Sequence, residues 1–136
     1  MTDFQLKSIN PKNNLVINLW DIHSQKEIDV IINKADNAQS SWQNYDLSSR
    51  VSALKNLSGI INYRKKDLSI IAADEMGKPI KQGWSELSKC SFLCDYYVEN
   101  AEKFLIKNKI KSSFHKSYVS YNPIGIILGI MPWNFP

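Results

Sequence analysis

Cysteine and histidine are scarce in this chain, two of each among 136 residues. Cys90 and Cys94 stand four apart, which on a helix sets them one turn apart on a common face, a poor geometry for a disulfide. No His or Cys neighbour completes a zinc set, so no metal site is expected. The two thiols read as small buried groups in a reducing cytoplasm. A cysteine nucleophile needs an activating partner, and His23 and His115 are both remote in sequence, so neither cysteine is read as catalytic.

Long apolar runs are also lacking. The longest, residues 124–133, falls well short of the roughly 20 residues a membrane-spanning helix needs. The opening Met1-Thr2-Asp3-Phe4-Gln5-Leu6-Lys7 has no basic segment followed by an apolar one, which argues against a secretory signal. A cytoplasmic protein with no membrane partner is the expectation. Charge of one sign does not dominate either: the net charge is +4 and the pI about 9.0, with basic residues scattered among acidic and polar ones. The locally basic stretches, Arg64-Lys65-Lys66 and the run from Lys103 to Lys116, read as solvated faces and not as a nucleic-acid surface.

What is present is ordinary for one soluble domain: 43% hydrophobic and 22% charged residues, enough to build a core. A hairpin is expected over residues 1–22, where the turn-rich Ile9-Asn10-Pro11-Lys12-Asn13-Asn14 leads into the β-branched stretch Leu15-Val16-Ile17-Asn18-Leu19-Trp20. A helical region follows over 24–105. Ser24-Gln25-Lys26-Glu27 fits a capping box, and Ile28, Ile31, Ile32, Ala35, Ala38 and Trp42 recur at helical spacing behind it. A second helix is expected from about Ser48, with Val51, Leu54, Leu57 and Ile61 on one face, and a shorter third helix capped by Asp67. Gly77 suits a left-handed helix terminus, and Pro79 the first turn of a fourth helix. That helix carries Ile80, Trp84, Leu87, Ser91, Cys94 and Val98 in one stripe, widened by Tyr97, Ala101 and Phe104. Glu75 and Glu86 read as surface charge.

Strands and the start of a sheet are expected over 113–136. Residues 113–121 favour an edge or antiparallel strand. Ile124-Gly125-Ile126-Ile127-Leu128-Gly129-Ile130 is a continuous apolar run bounded by prolines, the pattern of a parallel strand buried on both faces. Such a strand needs a crossover to a second parallel strand, and no sequence for one follows it.

The segment Ile130-Met131-Pro132-Trp133-Asn134-Phe135-Pro136 closely resembles the P-W-N-F-P segment that follows the first cofactor-domain strand in aldehyde dehydrogenases. Glu75-Met76-Gly77-Lys78-Pro79 is similar to that family's E-x-G-K segment, Cys94-Asp95-Tyr96-Tyr97-Val98-Glu99-Asn100 to the aromatic helix after it, and Ile9-Asn10-Pro11 to its I-N-P opening. The matches come in the family's order and span nearly the whole chain. The fold class implied is α/β, the amino-terminal helical part and first parallel strand of an incomplete aldehyde dehydrogenase (Rossmann-type) fold. Within the family the combination is most similar to bacterial succinate-semialdehyde dehydrogenases, with a general aliphatic aldehyde dehydrogenase as the near alternative.

The resemblance also implies roles. The backbone around Ile130, Met131, Pro132 and Trp133 would line the nicotinamide-ribose side of NAD or NADP, beyond the carboxyl end of the strand. The side-chain amide of Asn134 would enter the oxyanion hole, where a neutral donor meets the charge that develops as a thiolate attacks the aldehyde. In the family the nucleophilic cysteine, the general-base glutamate, the phosphate-contacting lysine and the glycine-containing cofactor turn all match positions beyond Pro136. The chain is therefore expected to be a truncated or split enzyme, inactive alone, whose substrate is a small aldehyde and whose missing parts a second chain would supply. The competing expectation is a non-catalytic helical interaction module that binds a partner through its exposed apolar strand.

Overall fold

The computed structural model describes residues 5–135, so the expected hairpin's residues 1–4 and the closing Pro136 of the P-W-N-F-P segment lie outside the described residues. The chain opens with the antiparallel hairpin β1 (Gln5–Ile9) and β2 (Val16–Asp21). Its register pairs Leu6 with Trp20 and Lys7 with Leu19, and shifts at a bulge between Ser8 and Ile9. The turn closes through amides of Asn10 and Asn14 that donate to the carbonyls of Leu15 (2.9 Å) and Asn10 (2.8 Å). Asn14 takes the left-handed conformation at φ 59°, which asparagine tolerates better than most residues.

Helix α1 (Gln25–Trp42) starts at the expected capping box. The Glu27 amide donates to Ser24 Oγ (3.3 Å), and the Ser24 amide donates back to Glu27 Oε2 (2.7 Å). The Ser24 backbone and side-chain hydrogen bonds, with His23 nearby, hold the Glu27 carboxyl below its usual range. The helix is as expected, but its apolar stripe is not covered: Ile28, Ile31, Ile32 and Trp42 are exposed and no residue of α1 is buried.

The expected second and third helices are one, α2 (Leu47–Met76), about 45 Å long at 1.5 Å per residue. Asp46, not Asp67, is the cap, accepting from the Ser49 amide at 2.7 Å. Asp67 lies in the helix interior. No proline interrupts the stretch, Gly59 is its one glycine, and the Arg64-Lys65-Lys66 run favours continuation, so the cost of starting a new helix at Asp67 is avoided.

Gly77 ends α2 in the left-handed conformation at φ 75°. The amides of Gly77 and Lys78 close the last turn on the carbonyls of Ala73 (2.9 Å) and Ala72 (3.4 Å). Helix α3 (Ile80–Leu105) follows at once, with Pro79 as its N-cap residue and not its first helical residue. The Pro79 carbonyl accepts from the amides of Gln82 and Gly83.

Helices α2 and α3 form an antiparallel pair with small residues at the seam. A Cβ on Gly83 would stand 3.3 Å from Ser69 Cα, so the backbones approach closely there. Nearer the other end, Ser58 Oγ lies 3.0 Å from Ser91 Oγ, and Asn62 Nδ2 donates to Ser91 Oγ at 2.5 Å. Ser58, Ser69 and Ser91 are buried, whereas no large apolar side chain is buried among the described residues. Val51, Leu54, Ile61, Leu87 and Val98 are half-buried along this seam.

Beyond α3 the expected strand over 113–121 shrinks to β4 (Tyr118–Val119), paired antiparallel with β3 (Asn108–Lys109). The intervening loop uses Ser112 and Ser117, whose hydroxyls meet at 2.5 Å, in place of a longer ladder. The expected parallel strand over 124–130 is not formed. Ile124, Ile127, Leu128 and Ile130 are 91%, 76%, 86% and 87% exposed, and no described strand lies alongside to accept or donate the ladder that would define a strand. Among the described residues no helix is long and apolar enough to cross a membrane.

Candidate functional site

The turn between α2 and α3 is where segments remote in sequence meet. From the hairpin, Ser8 Oγ donates to Glu75 Oε1 (3.2 Å), and Pro11 lies so close that a Cβ on Gly77 would stand 3.2 Å from its Cγ. From the other end of the chain, a turn closed by the Phe135 amide on the Pro132 carbonyl (3.1 Å) settles on the same place. The Ile9-Asn10-Pro11, Glu75-Met76-Gly77-Lys78 and Met131-Pro132-Trp133-Asn134-Phe135 segments thus converge. The Cys94–Asn100 segment does not; Tyr97 sits about 25 Å along α3, counting 1.5 Å per residue from Ile80, where it packs with Tyr96 and Phe104.

Lys78 is at the centre of this meeting point and only 7% exposed. Its ammonium forms an ion pair with Glu86 of α3 and donates to the Asn134 carbonyl at 2.8 Å. It also stands 4.4 Å from the centre of the Phe135 ring, within reach of a cation–π attraction. Glu86, expected on the surface, is therefore the counter-ion of a buried lysine. Its spacing to Lys78 across a glycine–proline turn carries no helical periodicity, so only the turn's geometry reveals the pair.

The same groups line an open cleft of about 910 Å³, with Met131, Trp133, Asn134 and Phe135 on one side and Gln82, Ser85, Glu86 and Cys90 of α3 on the other. Of the expected site residues, Met131, Trp133 and Asn134 border this cleft. Pro132 takes part in the turn through its carbonyl, and Ile130, 87% exposed, does not line the cleft.

The cysteines differ from the expected buried pair. Both are free, Cys90 is exposed at the cleft edge, and Cys94 is half-buried. Burial, followed by the neighbouring charges of Asp95 and Cys90, pushes the Cys94 thiol above its ordinary range. No group of His, Cys, Asp and Glu among the described residues could hold a metal ion.

The turn that carries Asn134 thus borders a cleft beside α3, and comparison with known proteins makes the assignment specific. The model of the aldehyde dehydrogenase family matches residues 2–136, and the chain belongs to that family. It is 30% identical over 131 residues to a probable NADP+ succinate-semialdehyde dehydrogenase of Synechocystis sp., covering 96% of this chain and 29% of the relative. It is 29% identical over 129 residues to an NAD(P)+ succinate-semialdehyde dehydrogenase of Escherichia coli, covering 95% of this chain and 28% of that one. The solved succinic semialdehyde dehydrogenase of Streptococcus pyogenes, in complex with NADP+, superposes with a TM-score of 0.77 at 22% identity, over 82% of this chain and 25% of that one. The last likeness is one of fold. The chain spans about 29% of the length of the curated relatives it matches.

Proposed function

We propose that this segment serves an NAD(P)-dependent aldehyde dehydrogenase of the cytoplasm that oxidises succinate semialdehyde to succinate, with Asn134 as an oxyanion donor. The observation that carries the reading is the placement of Asn134: its backbone carbonyl is held by Lys78 while the residue borders the cleft beside Trp133 and Met131. A thiolate adding to an aldehyde leaves negative charge on the carbonyl oxygen, and Asn134 Nδ2–H donates to that oxygen without titrating. The nicotinamide of NAD or NADP, when bound, accepts the hydride. Met131, Pro132 and Trp133, with Ile130 behind them, would form the wall on its ribose side. The residues present fit that part of the cofactor alone: an apolar wall and one amide, with the thiolate, the base and the phosphate site coming from further sequence or a second chain. The names of the relatives at 30% and 29% identity support succinate semialdehyde as the substrate.

The test is reduction of NADP+ or NAD+ by succinate semialdehyde in the protein that carries this segment together with the remaining dehydrogenase parts. Asn134→Ala should lower kcat on the order of 100- to 1,000-fold. An unchanged kcat would remove the oxyanion role. Reading the coding DNA past the Pro136 codon tests the wider claim: a continuation encoding a Rossmann sheet and a cysteine nucleophile supports it, and none in any frame favours a non-catalytic interaction module.

A further inference from the structure

An ammonium taken out of water must have its charge and its donors satisfied. Lys78 meets that demand with three groups: the Glu86 carboxylate, the Asn134 carbonyl and the Phe135 ring. Two of the three belong to the turn that carries the proposed oxyanion donor. Among the described residues, the bond from Lys78 to Asn134 is the hydrogen bond that ties residues 120–135 to the rest of the chain. The apolar stretch before the turn has no ladder to locate it.

We propose that Lys78, held in place by Glu86, is a positioning residue for Asn134: it fixes the peptide carbonyl of Asn134 on one side and the Phe135 ring on the other, and so sets where the Asn134 amide points. This rests on the reading of Asn134 as the oxyanion donor. Each part of the device has its place in the fold. The left-handed Gly77 turns the chain so that Lys78 leaves α2 facing the start of α3, and Pro79 begins that helix at once, which brings Glu86 within reach of Lys78 Nζ. A compact ammonium on a flexible stem can serve a carboxylate, a carbonyl and a ring face together, whereas the planar fork of arginine suits paired oxygens.

The first test uses the 136-residue chain itself, by nuclear magnetic resonance with circular dichroism as the check on folding. Phe135→Leu should abolish a ring-current shift on the Lys78 ε-methylene protons. Lys78→Met should move the Asn134 and Phe135 amide resonances while leaving those of Ser58 and Ser91 in place. Independence of Lys78 from both tail residues, with helicity intact, overturns the proposal.

The second test is kinetic, in the active protein carrying this segment. Lys78→Met should lower kcat on the order of 10- to 100-fold, as for a displaced catalytic group, with the aldehyde KM little changed. Lys78→Met/Glu86→Gln, which leaves no carboxylate stranded, should be impaired to the same extent in kcat even if it is the more stable protein. Lys78→Arg should recover part of the rate. Because Lys78 acts through Asn134, Lys78→Met/Asn134→Ala should be no slower than Asn134→Ala alone. Fully additive losses overturn the positioning role and leave the oxyanion reading standing. A harmless Asn134→Ala overturns the oxyanion reading, and the positioning role with it.

Discussion

The α2–α3 pair and the stretch over residues 120–135 are both apolar-rich, yet they end in opposite conditions. In the helix pair Val51, Leu54, Ile61, Leu87 and Val98 are half-covered, and the closest approach is made by glycine and serine at Gly83, Ser69, Ser58 and Ser91. In the tail Ile124, Leu128 and Ile130 remain at least 86% exposed. The difference is a facing surface. Each long helix offers the other one, joined by a tight turn that makes the pairing local and rapid to find. The tail's run would need a neighbouring strand, and the described residues contain none. Hydrophobicity in a segment expresses a demand for cover, and a second element must supply it.

The largest effect expected from breaking this contrast is at the seam. Gly83→Leu would drive a branched side chain into the Ser69 backbone 3.3 Å away and destabilise the helix pair by about 1–3 kcal/mol, measured by urea unfolding followed by circular dichroism. An unchanged midpoint would mean that the helices do not depend on that approach. Next, the two cysteines of α3 should differ in alkylation rate at mildly alkaline pH. Cys90, exposed, should react several-fold faster than Cys94, whose thiol is held protonated to higher pH by burial first and by the charges of Asp95 and Cys90 second. Faster labelling of Cys94 would place the covered face of α3 elsewhere. The smallest effect belongs to the tail. Leu128→Lys should alter unfolding free energy by no more than about 0.5 kcal/mol, since Leu128 is 86% exposed, while lowering binding of a hydrophobic dye. A large loss of stability would show that the tail is covered after all.

Legibility in the sequence followed the range of the interactions. The Ser24–Glu27 capping box could be read because both partners lie within one helical turn. The Asn10–Leu15 turn and the left-handed Gly77 were equally readable, since each depends on the residue's own backbone preferences. The absence of a helix start at Asp67 was not. Aspartate suits a cap wherever it stands, and continuity of α2 across residues 62–70 is a property of the whole helix and of α3 beside it. Glu86 was misread as surface charge because its partner lies across a turn whose geometry has no period. The stripe of α1 was read correctly as a helical face, but a stripe does not state whether anything lies opposite.

The sequence by itself determined the family, the hairpin, the start of α1 and the identity of the amide at Asn134, because these depend on residue types and on neighbours within a few positions. Only the tertiary structure decided that the Ile9-Asn10-Pro11, Glu75-Met76-Gly77-Lys78 and Trp133-Asn134-Phe135 segments share one place, and that a buried Lys78 holds the last of them. The Lys78–Asn134 contact joins positions 56 residues apart. Contacts of that range depend on the path of the whole chain, which no local preference encodes.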